Sequence, residues 1–385
     1  MQIMIKGHLN PYSHIPGVKS CLPGSFLSIQ VFPALLRVES LHEQDSLHDV
    51  EIMLGVKGPV KDFTVQQDLE GACLRVWGKT AEGYLRYRVH SIKAGNGFVL
   101  VLEKVPQGGG VFTASSLSLS KLSSKGEVSK RAKSQLAYAK DVIYFSHTDI
   151  KNEQEFWVNP SKERLSLGNH KAQDWDMVLR RQKVQEILPA WLSLGQMLPR
   201  QMFKTKREGT AELFDICEQY LLLKKHENLS EAFLNVLITG FEGILTPRLE
   251  DRSYHGLVSS PISSKQSPLR LLQEGAALIK RLFIHVIDEK TIDILPSLPP
   301  EIHCGRYINI SCGDLGVMDL EWSKKTVRRI SFEAKTKGAI LFLFHRNVKS
   351  YRLRKSDKDH GYRVKCGKML ACEQGERYLL DNFKK

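Results

Sequence analysis

Short alternating patterns of apolar and polar residues open the chain. The segments FLSIQVFPALLRVES (26–40) and GYLRYRVHS (83–91) place apolar side chains at about every second position, and TAEG and KAGNG supply glycine-containing turns. A period of two is typical of half-buried β-strands, and Gly and Asn accept the backbone conformations that hairpins need. Residues 1–112 are therefore predicted to form an antiparallel β-sandwich.

A segment rich in serine and lysine follows. TASSLSLSKLSSKGEVSKRAKSQ contains no aromatic residue, which is typical of a linker or an exposed extended chain. Further along, VIYFSHTDI and EFWVNP predict one or two strands. We therefore interpret residues 113–171 as a linker and bridge.

Apolar residues recur at helical spacing over residues 172–290. WDMVLRRQKVQEILPAWLSLGQML carries such a face, and Pro189 is expected to interrupt its helix. Thr210, Ser230 and Ser267 are expected at helix starts. The pattern predicts four or five helices that build a partial helical-hairpin (α/α) domain.

The β pattern returns over residues 291–385. YINISC, GVMDLEW, VRRISFEAK and AILFLF read as strands separated by Gly, Lys and Asp. They predict a second, C-terminal β-sandwich. The fold class expected from the whole chain is therefore α+β and multidomain, with a helical domain between two antiparallel sandwiches.

The chain is strongly basic. A formal charge of +14 and a pI near 9.3 favour acidic partners such as nucleic acid, an anionic membrane or an anionic polysaccharide. The competing interpretation is a scattered basic surface with no such partner. No helix-turn-helix, zinc-finger or RNP-type motif is present. A continuous basic stripe with exposed aromatic side chains would favour a nucleic-acid-binding module.

Cysteine usage and hydropathy bear on the compartment. The chain has 7 cysteines with irregular spacing and no C-x-x-C, which argues against a disulfide framework and against a zinc site. No apolar run approaches the roughly 18 residues of a membrane-spanning helix, and the N-terminus lacks a signal-peptide pattern. We expect a cytoplasmic protein with no membrane span and no metal site.

Two motifs in the second half carry a family resemblance. ILPSLPPE (294–301) follows the last helical pattern, and GVMDLEW (316–322) opens the C-terminal strands. In this order they resemble the six-hairpin (α/α)6-barrel glycoside hydrolases, with the greatest likeness to glycoside hydrolase family 95, the α-L-fucosidase type. The matching residues are Ile294, Leu295, Pro296, Leu298, Pro299, Gly316, Asp319, Glu321 and Trp322.

The resemblance implies a carbohydrate partner and acid/base hydrolysis of a glycosidic bond by paired carboxylates, with no cofactor. The sequence departs from the family at its acidic motif. SPLRL (267–271), which stands where the family has an Asp-x-Asn type motif, contains no carboxylate, and the helices number about half of the expected twelve. A shortened or degenerate relative is one explanation, and a rearranged catalytic site is another.

A loop rich in charged residues offers the best alternative site. In GFEGILTPRLEDRSYHGL (240–257), Glu250 or Asp251 is the candidate base and Glu242 the candidate acid, and other polar residues are candidates for binding sugar hydroxyls. The candidate catalytic residues are Glu242, Glu250 and Asp251. The candidate substrate-binding residues are Arg248, Tyr254, His255 and, outside the loop, Trp157. The competing interpretation is an ordinary solvated loop after a helix that ends at a proline.

Tryptophan faces match the apolar face of a pyranose ring. Trp157, in the polar segment EQEFWVNP, is the tryptophan expected to stack on a sugar, whereas Trp77 and Trp322 are expected in the core. Three functional hypotheses therefore stay open: a glycoside hydrolase, a non-catalytic relative that binds a glycan or a protein partner, and a basic nucleic-acid-binding module.

Overall fold

The computed structural model describes residues 2–42, 50–92, 97–107, 112–114, 119–122, 128–130, 142–146, 158–168, 171–257, 261–263, 266–345 and 347–385. Strands hold 39% of the chain and helices 21%. The fold is therefore α+β and dominated by antiparallel sheet.

Two antiparallel sheets form the N-terminal region. Their strands are β1 (Tyr12–Ser13), β2 (Val18–Cys21), β3 (Leu27–Phe32), β4 (Leu35–Ser40), β5 (Val50–Leu54), β6 (Lys61–Asp68), β7 (Cys73–Thr80), β8 (Gly83–Ser91), β9 (Gly97–Lys104), β10 (Phe112–Ala114), β11 (Leu119–Leu122), β12 (Val128–Lys130) and β13 (Val142–Ser146). The larger sheet has the order β1-β6-β7-β8-β9-β13-β11-β12, and the smaller sheet has the order β10-β5-β4-β3-β2.

Alternation of apolar residues places one face of each sheet in a shared core. Ile29 and Val31 of the smaller sheet and Val76 and Tyr87 of the larger sheet belong to one buried cluster. The two sheets therefore pack face to face over this cluster, as the period of two predicts.

Part of the predicted linker and bridge belongs to this sandwich. Strand β13 pairs with β9, with Ile143 opposite Leu100, and β11 pairs with β13. The edge of β9 would otherwise expose unpaired backbone groups, and β13 satisfies them. A long-range pairing of this kind leaves no trace in local composition.

The helices follow. Strand β14 (Arg164–Ser166) comes first, and the described residues then contain five α-helices and a hairpin of two short strands. These elements are α1 (Trp175–Arg181), α2 (Val184–Met197), α3 (Leu213–Leu222), α4 (His226–Gly240), β15 (Phe241–Glu242), β16 (Thr246–Pro247) and α5 (Leu269–Phe283). No barrel of helical hairpins is evident in this part of the chain.

The break predicted at Pro189 lies elsewhere. It falls at Gln182 and Lys183, because Gln182 adopts a left-handed φ of 48° and ends α1. Pro189 lies inside α2, near its beginning. Only the hydrogen bond to the carbonyl of Gln185 is lost there, and packing of the buried helix outweighs that loss.

A fully buried tryptophan joins the helices. Trp191 of α2 donates its indole N–H to the carbonyl of Leu271 at 3.0 Å. Its ring lies 4.8 Å, centroid to centroid, from that of Phe241. A Cβ atom at Gly275 of α5 would come within 2.5 Å of the indole, so the close approach of α2 and α5 requires glycine.

Two further sheets form the C-terminal region. Their strands are β17 (Ile284–Val286), β18 (Thr291–Ile294), β19 (Gly305–Ser311), β20 (Gly316–Ser323), β21 (Thr326–Ala334), β22 (Gly338–Phe344), β23 (Ser350–Arg354), β24 (Tyr362–Lys365), β25 (Leu370–Cys372) and β26 (Arg377–Lys384). The larger sheet has the order β14-β19-β20-β21-β26-β23-β24, and the smaller has the order β17-β18-β22-β25. Strands β18 and β22 pair in parallel, which departs from the all-antiparallel expectation.

The DLEW strand, β20, attaches this region to the last helix. Met318, Leu320 and Trp322 alternate into the core. The ring of Trp322 lies 5.2 Å from that of Phe283, the last residue of α5. The two motifs behind the family resemblance therefore have a structural role at the junction of helix and sheet.

Candidate functional site

A short hairpin after α4 holds Glu242 in place. The backbone N–H of Ile244 donates to the carbonyl of Lys19, in β2, at 2.8 Å. Gly243 has a φ of +50°, and a Cβ atom at this position would lie 2.0 Å from the same carbonyl oxygen. Only glycine satisfies both conditions. The hairpin is therefore fixed against the N-terminal sandwich.

Glu242 lines a groove of about 270 Å³ between this hairpin, the N-terminal sandwich and α1. The Nζ atom of Lys19 lies 2.8 Å from its Oε1 atom, and the two side chains are 24% and 27% exposed, respectively. Asp176 lines the same groove. Two carboxylates and an ammonium group from separate elements thus border one space that solvent reaches.

Asp176 is positioned by the start of α1 and by β1. The side chain of Asp174 caps this helix and accepts hydrogen bonds from the backbone N–H groups of Asp176, at 3.2 Å, and Met177, at 3.3 Å. The hydroxyl of Ser13 donates to Oδ2 of Asp176 at 2.9 Å. The cap fixes the start of α1, and the Ser13 hydrogen bond fixes the direction of the Asp176 carboxylate.

The rest of the groove combines a polar amide with aliphatic surface. Gln30 lines it, together with Ile15 and Leu179, which are 52% and 36% exposed. Convergent polar groups beside apolar surface are typical of sites for small organic ligands. The carboxylates, the amine and the amide supply hydrogen-bond acceptors and donors beside the aliphatic side chains.

Arg248, a predicted substrate-binding residue, caps α4. Its guanidinium donates to the carbonyls of Thr239, at 3.1 Å, and Ile238, at 3.3 Å, and to the hydroxyl of Ser253, at 2.9 Å. The last carbonyls of a helix have no partner within the helix, and a basic side chain satisfies them. The guanidinium is therefore engaged in holding the loop to the helix end.

Asp251 stabilises the turn of the same loop. Its carboxylate lies 3.0 Å from Nδ1 of His255 and accepts the backbone N–H of Gly256 at 2.9 Å. Partial burial acts to raise the pKa of Asp251, but these hydrogen bonds and the His255 charge outweigh burial and lower it. A lowered pKa suits a carboxylate that stays ionised and accepts hydrogen bonds.

The remaining predicted residues are dispersed. Glu250 is exposed, and Tyr254 is 93% exposed. Among the described residues of this loop, Glu242 is the one predicted site residue that lines the groove. The lining does not include Glu250, Asp251, Arg248, Tyr254 or His255. Trp157 lies outside the described residues.

Sequence reasoning missed Lys19 and Asp176. They lie far from Glu242 along the chain, with Lys19 and Glu242 separated by 223 positions. A motif search detects only residues at short, fixed spacing. The tertiary contact between the hairpin and β2 brings these groups together. Gly243, which this contact requires, is the one local sequence signal of it.

A larger and shallower cavity, of about 790 Å³, lies on the outer face of the larger N-terminal sheet. Tyr12, His14 and Trp77 line it. Trp322 is 1% exposed, which confirms its predicted place in the core. Trp77 is half-buried and borders the cavity, so its predicted core position is only partly correct.

A third cavity, of about 310 Å³, lies where the N-terminal segment meets β14 and α2. His8 lies 2.6 Å from the carboxylate of Glu70, which also pairs with Arg164. Arg164 donates in addition to the carbonyl of Gly7 at 2.9 Å. These groups satisfy one another, as expected at a structural junction.

Within the described ranges, no three His, Cys, Asp or Glu side chains lie together as a metal site would require. The helices of the described chain are all too short or too polar to cross a membrane. Neither the known protein families nor the curated proteins include a match to this chain.

Proposed function

We propose that this chain is a carbohydrate-active protein of the glycoside hydrolase type, with its sugar site in the groove between Asp176 and Glu242. The observation that carries the proposal is the presence of two carboxylates from different elements in one groove, beside Lys19. Inverting hydrolysis needs such a pair, one as acid and one as base.

The groups divide the chemistry as follows. Glu242, paired with Lys19, is the base and takes a proton from a water molecule, whose oxygen bonds to the anomeric carbon. Asp176 serves as the acid and donates a proton to the glycosidic oxygen as the bond from the anomeric carbon to that oxygen breaks. One water molecule is consumed and no cofactor takes part.

The proposed kinship with the six-hairpin enzymes is supported by the junction between α5 and the C-terminal sheets. The ILPSLPPE segment follows α5, and DLEW lies in β20 of the antiparallel sheet with Trp322 against Phe283, an order that agrees with the proposed resemblance. The described chain has five α-helices and no evident barrel of helical hairpins, so the proposed kinship is with a shortened relative.

Non-catalytic glycan binding is the second candidate function. It is favoured by the contacts that both carboxylates already make, Glu242 with Lys19 and Asp176 with Ser13. Groups held in this way serve as well for binding hydroxyls as for proton transfer. In this case the same groove binds a sugar and leaves its glycosidic bonds intact.

Turnover of a panel of aryl glycosides tests the hydrolase proposal. We expect wild-type protein to release the aryl group from at least one member, and Glu242→Gln and Asp176→Asn each to reduce kcat by about a hundredfold or more. Glu250→Gln, an exposed loop variant, is the control and retains wild-type turnover. Sugar binding without turnover would leave the binding function, and turnover unaffected by both groove variants would overturn the assignment of the site.

A further inference from the structure

The outer face of the larger N-terminal sheet brings like charges directly opposite one another. The cross-strand register pairs Lys61 with Lys79, Arg75 with Arg88, and Arg86 with Lys104. Like charges directly opposite in an antiparallel sheet are destabilising. Their repetition across β6, β7, β8 and β9 indicates a surface shaped for a ligand of the opposite charge.

Two acidic residues on this face lie lower than the arginines with which they pair, whereas Asp62, which lines the same cavity as Trp77, is exposed. Asp68 pairs with Arg75 at 2.6 Å, and Glu103 pairs with Arg86, at 2.5 Å, and with Arg88, at 2.6 Å. The arginine side chains are 35–44% exposed, whereas Asp68 and Glu103 are 6% and 21% exposed. The carboxylates therefore orient the guanidiniums from below, and the guanidiniums face solvent.

Two of these guanidiniums also act on a neighbouring histidine. Burial is the main reason that the pKa of His90, also on β8, falls to about 3, and the charges of Arg88 and Arg75 lower it further. A proton on the ring would be repelled by both guanidiniums. A phosphate at the same surface would be attracted.

Aromatic side chains lie among the basic side chains of this face. Every second residue of β7 lies on the same face, and these residues include Arg75, Trp77 and Lys79. Successive members are about 7 Å apart, because each residue of a strand advances about 3.4 Å. Trp77 is half-buried and borders the cavity of about 790 Å³ that Tyr12 also lines. A ligand that carries both flat rings and anionic groups can therefore stack a ring on an aromatic side chain while its anionic groups contact arginine.

We propose that this face binds single-stranded nucleic acid, with bases stacked on Trp77 and Tyr12 and phosphates held by Arg75, Arg86 and Arg88. Antiparallel sheets that present aromatic and basic side chains use this mode of recognition. A sulfated polysaccharide would engage the same arginines and is the competing occupant in the test below. This inference is independent of the groove at Glu242.

Fluorescence anisotropy with a labelled oligothymidylate of about 20 nucleotides, which exceeds the site size of a typical single-strand-binding domain, tests the proposal. Wild-type protein is expected to bind at low salt and to lose affinity as salt rises. The double variant Arg75→Gln/Arg88→Gln is expected to bind at least tenfold more weakly and with a shallower salt slope. Trp77→Leu is expected to bind about tenfold more weakly with an unchanged slope.

Arg328→Gln/Lys337→Gln removes the same charge from exposed positions of the C-terminal region and is the matched control. It is expected to bind as wild type does, and circular dichroism verifies the fold of each variant. Absence of binding by wild type at low salt would overturn the proposal. An equal loss in the control would do so too, as would wild-type affinity in Trp77→Leu together with full competition by dextran sulfate.

Discussion

Lys19 of β2 and Glu242 of the hairpin after α4 form an ion pair of 2.8 Å across 223 residues of sequence. This pair joins the N-terminal sandwich to the helical region, and it forms one wall of the groove that also contains Asp176. The position of the groove therefore depends on the contact between these two regions.

A double-mutant cycle on Lys19→Met and Glu242→Gln measures this contact. Because both side chains are about three-quarters buried, we expect a coupling free energy of about 1 kcal/mol by chemical denaturation. The pair of Arg37 and Glu51 has the same separation of 2.8 Å but is about half exposed, so its coupling should be smaller. Equal coupling in the two cycles would contradict this account.

Gly243→Ala tests the fixation of the hairpin. The substitution combines a positive φ with a clash against the carbonyl of Lys19, and we expect a loss of more than about 2 kcal/mol in the free energy of unfolding. Gly256→Ala also has a positive φ but has open space around it, so it should cost only about 1 kcal/mol. Similar losses in both variants would show that the hairpin is not held by this contact.

Arg248→Gln separates a capping role from a substrate-binding role. Loss of hydrogen bonds to the carbonyls of Thr239 and Ile238 should lower the free energy of unfolding by about 1–2 kcal/mol. Arg252→Gln, at an exposed position in the same loop, should leave stability unchanged. Sugar affinity should be unaffected in both. Lost affinity at unchanged stability in Arg248→Gln would instead support the role predicted from sequence.

His90 makes the stability depend on pH. Its pKa is about 3 in the folded chain and about 6.5 when unfolded, so between these values the unfolded chain binds more protons. The stabilising contribution is complete above about pH 6.5 and is lost as the pH falls toward 3. Between pH 7.5 and 5, wild type should lose about 2 kcal/mol more than His90→Asn in urea denaturation. Parallel pH profiles of the two proteins would contradict this prediction.

Local patterns allowed much of the fold to be predicted. Alternation predicted β20, where Met318, Leu320 and Trp322 point into the core, and helical spacing predicted α5. Both signals arise within one element, where side-chain period and burial are linked directly. The pairing of β13 with β9 and the parallel pair β18–β22 depend on distant segments, so the sequence pattern did not contain them.

The site was less accessible to prediction. Residue types singled out Glu242 and its loop, but Arg248 and Asp251 turned out to satisfy helix-end and turn hydrogen bonds. The same types of polar residue hold a loop in place and bind a ligand, so residue type alone does not separate the two roles. Asp176 was overlooked because its nearness to Glu242 arises only when α1 packs beside the hairpin and β2.

The affinity of the groove for sugars, measured by titration calorimetry with a panel of neutral monosaccharides and oligosaccharides, tests the central claim most directly. We predict that wild type and Glu250→Gln bind at least one member equally well, and that Asp176→Asn and Glu242→Gln each weaken that binding tenfold or more, because each replaces a carboxyl oxygen of the groove with an amide nitrogen. Binding that is equally strong in all four proteins, or absent from wild type across the panel, would contradict the account.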